Sequence, residues 1–199
     1  METIVEFEEA LREDMEALFG SCEKKGNVLR SMGNMLGVTG SSVIFEAAFE
    51  AGLNPGDDYP VLHFHTTLAQ KIDDAIVPGI LQGLNELNNV ISVGAFPAFG
   101  SFGYYGPLRQ VYLTYRMPLN ETVLDAERDN VRYYLGSLYE QLDIFVDYVL
   151  FLCNDPKRIS LDQYMAYLDT IADLNDLEAR VDALEKYISE KEKEAEETD

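Results

Sequence analysis

Three stretches of this chain alternate apolar and polar residues with a period of two, and that constrains its fold more than any other feature. In SSVIFEAAFEAG, Val43, Phe45, Ala47 and Phe49 fall on one side, and Ile44, Glu46, Ala48 and Glu50 on the other. In VLHFHTTL, Leu62, Phe64, Thr66 and Leu68 oppose His63, His65 and Thr67. In Gln110–Leu119, Val111, Leu113, Tyr115 and Met117 oppose Tyr112, Thr114 and Arg116, and Pro118 ends the run. Successive strand residues point to opposite faces, so each stretch predicts a strand with one greasy side. LNPGDDYP, residues 53–60, has the composition of a loop joining the first two. A second hairpin is expected with a first arm of roughly Ile91–Phe102.

Helical periods surround these strands. Ile4, Phe7, Leu11, Met15 and Leu18 predict an amphipathic helix over residues 3–24, ended by Gly26-Asn27. Residues 27–41 hold glycines at 33, 37 and 40, and a short strand is expected around Asn34–Val38. Asp73 and Asp74 suit a helix start, with Pro78 in its first turn and Ile76, Ile80, Leu84 and Leu87 on its face. Asn85, Asn88 and Asn89 crowd its far end. They read as a helix stop, with a ligand-lining role for Asn85 or Asn88 as the alternative. A long helix is expected from Val123 to Cys153, with Thr122 as its cap. Its buried stripe is Val131, Leu135, Leu138, Leu142, Phe145, Val149 and Leu152.

Ser160 caps a last, acidic helix. Leu174, Leu177, Val181, Leu184 and Ile188 step by three and four in it, as in a short coiled coil. Pairing between chains and packing back on the body are both compatible with so short a stripe. The expected organisation is an α+β domain over residues 1–155 and a helical extension over 156–199.

Charge excludes some partners. The net charge is −21 in 199 residues, and both helical ends are more acidic than the middle. Phosphate binding needs neutralising Lys and Arg, so neither nucleic acid nor an anionic membrane surface is an expected partner. The chain is uncharged from Leu87 to Leu108, but its glycines, prolines and asparagines argue against a spanning helix. Cys22 and Cys153 form no metal knuckle or CxxC pair. Two thiols and an acidic N-terminus fit a reducing cytoplasm. Cys153 falls on the apolar stripe of its helix and is expected to be buried and inert.

Two clusters are candidate sites. His63 and His65 share a strand face, and if residues 51–60 close the hairpin, Glu46 lies opposite His65. Two histidines and a carboxylate are the minimal parts of a Zn or Fe site. The plainer reading of the same residues is an exposed face with a Glu–His cross-strand pair. PAFGSFGYYGPL crowds Phe96, Phe99, Phe102, Tyr104 and Tyr105 together, with Tyr112 on the next strand. Exposed, these rings would form a partner-binding patch; buried, they would line a dimer or lie beneath the last helix. No phosphate-binding loop, nucleophile elbow or HExxH occurs. Nothing argues for an enzyme or a cofactor.

At Leu84-Asn85-Glu86-Leu87-Asn88, Gly94-Ala95-Phe96 and Val111–Leu119 with the helix after it, the chain resembles the YbjN-type domain family. The resemblance implies a sensory transduction regulator, similar in fold to the type III secretion chaperones. The resemblance covers residues 1–155. It implies an α+β fold with helices packed on one face of a curved antiparallel sheet, in the order α-β-β-β-α-β-β-α. It further implies a non-enzymatic, cytoplasmic, chaperone-like or regulatory module that binds a protein client or itself as a homodimer. Such a module would use an apolar sheet face and the aromatic loop. A metal- or small-ligand-responsive regulator built on His63, His65 and Glu46 is the alternative. The longer aromatic loop and the tail after Pro156 depart from the family pattern.

Overall fold

The computed structural model describes residues 2–50, 60–93, 99–119, 128–157 and 159–172. The chain divides into two compact units, Met1–Arg158 and Ile159–Asp199. The first is α+β, with one open six-stranded sheet, antiparallel throughout.

Helix α1 spans Glu2–Phe19. Phe7, Leu11 and Met15 are buried at helical spacing, as expected, while Leu18 is exposed. The helix ends earlier than residue 24. Gly20 takes φ +82°, a conformation glycine reaches without a Cβ clash, and its N–H donates to the Glu16 carbonyl at 2.8 Å. Gly26-Asn27 is instead a two-residue turn between β1 (Glu23–Lys25) and β2 (Val28–Leu36). Gly26 has φ +65° at the first central position, the geometry that suits a right-twisted hairpin. The expected strand at 34–38 is therefore the end of a longer one. It carries a register shift between Gly33 and Leu36, where Met35 is left-handed at φ 61°.

Strands β3 (Ser41–Glu50) and β4 (Val61–Ala69) pair as predicted, with Glu46 opposite His65. Helix α2 then runs Val77–Val93, burying Ile80, Leu84, Leu87 and Ile91. It does not stop at Asn88-Asn89, so the first arm of the second hairpin is shorter than Ile91–Phe102. Strand β5 occupies Ser101–Tyr105, and a single 3-10 turn at Gly106–Leu108 leads into β6, Gln110–Pro118. Helix α3 spans Arg128–Asn154 and buries the whole expected stripe from Val131 to Leu152.

The strand order is β1-β2-β3-β4-β6-β5. Placing β6 beside β4 leaves β5 at the outer edge. Helices α1, α2 and α3 lie against the apolar face. Phe19 of α1 stacks on Phe45 with ring centroids 5.0 Å apart, and an added Cβ on Gly100 would meet Leu138 of α3 and Leu113 of β6. Asp147 of α3, buried to 2 % exposure, ties down the β2–β3 turn by accepting from the Val38 N–H at 2.7 Å and the Thr39 N–H at 3.3 Å. Its neighbour one turn earlier, Asp143, accepts from the Gly37 N–H at 2.8 Å.

In the second unit a helix covers residues 161–172. Ser160 caps it as expected. The Gln163 N–H donates to the Ser160 Oγ at 3.3 Å, and the Ser160 N–H donates to the Gln163 Oε1 at 2.9 Å, a reciprocal capping box. The loop at 51–59, the Thr122 cap and the heptad residues Leu174, Leu177, Val181, Leu184 and Ile188 lie outside the described residues. Among the described residues, no helix is long and apolar enough to cross a membrane.

Candidate binding face

Strand parity puts Leu29, Phe45, Phe64 and Leu113 under the helices. The same parity leaves Arg30, Glu46, His65, Thr114 and Ser101 in one row across the open face. The neighbouring rows add His63 opposite Arg116, and Thr67 opposite Tyr112. This corrects one expectation. The apolar sheet face is occupied by α1, α2 and α3, and the face left open carries rings, hydroxyls, amides and charges.

The two histidines do point together. Their ring centroids are 5.8 Å apart. His63 is held at both ends: Nδ1 lies 2.7 Å from the Glu50 Oε1, and Nε2 lies 2.7 Å from the Thr114 Oγ1. Glu50 also reaches Arg116 at 3.4 Å. His65 stacks on Tyr112, with centroids 5.1 Å apart and planes 29° from parallel. Its Nε2 lies 3.2 Å from the Gln110 side-chain amide, which also bonds the Thr67 hydroxyl. Burial holds the His65 pKa below its ordinary value, and neighbouring His63 pushes the same way against a weaker opposing pull from Glu46.

Glu46 sits opposite His65 in register, but its carboxylate goes elsewhere. Its Oε1 accepts from the Arg30 Nε at 2.8 Å and Nη2 at 2.5 Å. Among the described residues, no group of three or more His, Cys, Asp or Glu side chains is placed to hold a metal ion.

The expected aromatic patch divides. Phe102 is 3 % exposed and its ring belongs to the core, so that ring cannot meet a partner. Phe99 sits edge-on to Tyr134 at 4.8 Å and to Tyr133 at 5.6 Å, in a ring cluster against α3, and also lines the hollow on the open face. Tyr104 is half-buried on the helix side of β5, by parity with Phe102. Phe96 lies outside the described residues. Tyr105, 49 % exposed, and the half-buried Tyr112 remain on the open face. They help line a hollow of about 840 Å³ that also takes in His63, His65, Thr114 and Arg116.

Sequence reasoning missed Glu50, Gln110 and Thr114 as partners of the histidines. Thr114 and Arg116 were already on the correct side by alternation, and the register of β4 against β6 was the missing link. Cys153 is part-buried, and burial pushes its thiol up to about 12, which leaves it protonated at neutral pH. Asn88 does not end its helix; it reaches across to β5. Set against models of known protein families, curated proteins and solved structures, the chain matches none of them.

Proposed function

We propose that the chain is a non-enzymatic binding module, chaperone-like or regulatory in role, that receives a protein partner on the open face of its sheet. The observation that carries this reading is the division of the sheet. Helices cover its apolar face, while the opposite face keeps Tyr105, Tyr112 and the histidine pair around one hollow. Aromatic side chains with a polar tip give large contact area at small entropic cost, which suits the centre of a protein interface. The acidic exterior argues against nucleic acid as that partner. The form we expect is a cytoplasmic homodimer.

A small-ligand reading is favoured by one observation: a hollow of about 840 Å³ falls within the ~300–1,000 Å³ typical of ligand pockets. In that version His63 and His65 supply the polar contacts, and a metal ion would require Glu46 to leave Arg30.

Native mass spectrometry of the purified chain separates the two. A bare oligomer that carries no mass beyond its polypeptide, and whose subunit number survives His63→Ala with His65→Ala, supports the protein-binding module. In that case Tyr105→Ser and Tyr112→Ser weaken self-association or client capture while the fold persists. Stoichiometric added mass that disappears in the double histidine variant overturns that reading in favour of a ligand or metal protein.

A further inference from the structure

The two edges of the sheet are finished in different ways. β1 is three residues long, Glu-Lys-Lys, and fully exposed. Short, lysine-bearing edges resist pairing with another chain. β5, at the other edge, is Ser-Phe-Gly-Tyr-Tyr and contains neither charge nor proline. It lacks the ordinary safeguards.

A side chain covers it instead. Residues of an antiparallel strand alternate between bonding one neighbour and bonding the other. Phe102 faces away from β6, and both of its outward groups are held by Asn88 of α2. The Phe102 N–H donates to the Asn88 Oδ1 at 2.9 Å, and the Asn88 Nδ2 donates to the Phe102 carbonyl at 2.8 Å. A strand residue placed beside β5 would make that same pair of bonds. Just before the strand, the Gly100 carbonyl accepts from the Gln141 Nε2 at 3.2 Å, and Gln141 is 1 % exposed. Tyr104 shares the outward parity of Phe102.

We propose that Asn88 stands in for a seventh strand, and that it keeps a second copy of this chain from adding to the β5 edge. A second copy is the fitting occupant because the edge is self-complementary. Two β5 strands related by a twofold axis at Gly103 set Phe102 of each against Tyr104 of the other. Both residues present their bonding groups outward, and β5 itself carries no charge. This edge borders the open face, since Asn88, Ser101 and Tyr105 also line the hollow there, and the cross-link between positions 101 and 105 across the twofold axis distinguishes edge pairing from association through that hollow.

The test removes the amide. Asn88→Leu keeps the branched outline of the side chain and loses both bonds. Sedimentation over rising concentration should give twice the mass of the parent chain. Ser101→Cys with Tyr105→Cys in the Asn88→Leu background should form disulfides between copies, since these positions oppose each other across the twofold axis. The same cysteines in the Asn88 parent should not. A folded Asn88→Leu chain that stays at the parent mass overturns the proposal, as does added mass without the cross-link. Should Asn88→Leu fail to fold, amide hydrogen exchange in the parent decides. The Phe102 N–H should exchange at least tenfold more slowly than the Tyr104 N–H, and equal rates overturn the proposal.

Discussion

A neutral imidazole packed between Tyr112 and Gln110 makes this protein sensitive to acid at one residue. The ordinary His65 pKa is 6.5, and folding lowers it. Above 6.5 both folded and unfolded chains carry the neutral ring, and His65 makes no pH-dependent contribution. As pH falls below 6.5 the unfolded chain takes up the proton first, so folding stability drops until pH passes the lowered folded value. His65→Gln should therefore flatten the fall in urea midpoint between pH 7.5 and pH 5.5. An unchanged slope would mean that another group carries it. Asp147 gives a second residue-scale expectation. Asp147→Ala removes the acceptor of the Val38 and Thr39 N–H groups, at a cost of about 1–2 kcal/mol in urea unfolding. Asp147→Asn, which keeps one carbonyl oxygen, should cost less. Gly37 belongs to the same clasp. Its φ is +67°, and an added Cβ would lie 2.7 Å from the Asp147 carboxylate oxygens.

Among the elements, α2 and α3 meet through glycine. An added Cβ on Gly83 would lie 2.6 Å from the buried Leu152 methyl carbons. Gly83→Ala normally strengthens a helix interior by about 1 kcal/mol. Here that gain should vanish, because Leu152 must move aside. In a Leu152→Ala background the gain should return, so the two changes should couple by about 1–2 kcal/mol in a double-mutant cycle. Additive effects would mean that the helices can separate freely. The same elements show what the sequence made legible. Strict alternation located β3, β4 and β6 and set their faces, because one side of each strand is buried. The stripe of α3 was legible for the matching reason. Other boundaries were obscured by residues with two meanings. Val90, Ile91 and Val93 are β-branched and sit near glycine, so they read as a strand, although Ile91 packs on the buried face of α2. Gly26-Asn27 ends helices and turns hairpins equally well, and only the pairing of Lys25 with Val28 decides between them. The candidate site was half legible. Parity grouped His63 with His65, but the partners of each come from register with β6, which no local pattern encodes.

Over the whole molecule, charge sets the expectation. A net charge of −21 on one chain repels itself in the compact state, and salt screens that repulsion. Raising NaCl from about 0.01 M to about 0.5 M should raise the melting temperature by roughly 2–8 °C. A fall would show that surface ion pairs such as Arg12–Glu16 and Arg132–Asp14 outweigh the net repulsion.

The strand order has a further consequence, one of timing. β4 is finished at Ala69, yet its neighbour β6 is finished at Pro118, roughly 50 residues later. Ribosomes add about 5–20 residues per second, so a nascent chain holds the inner edge of β4 without its partner for roughly 3–10 s. The centre of the finished sheet is thus an open edge during synthesis. Slowing translation between residues 69 and 118 should lower the yield of folded chain, whereas slowing it before residue 61 should not.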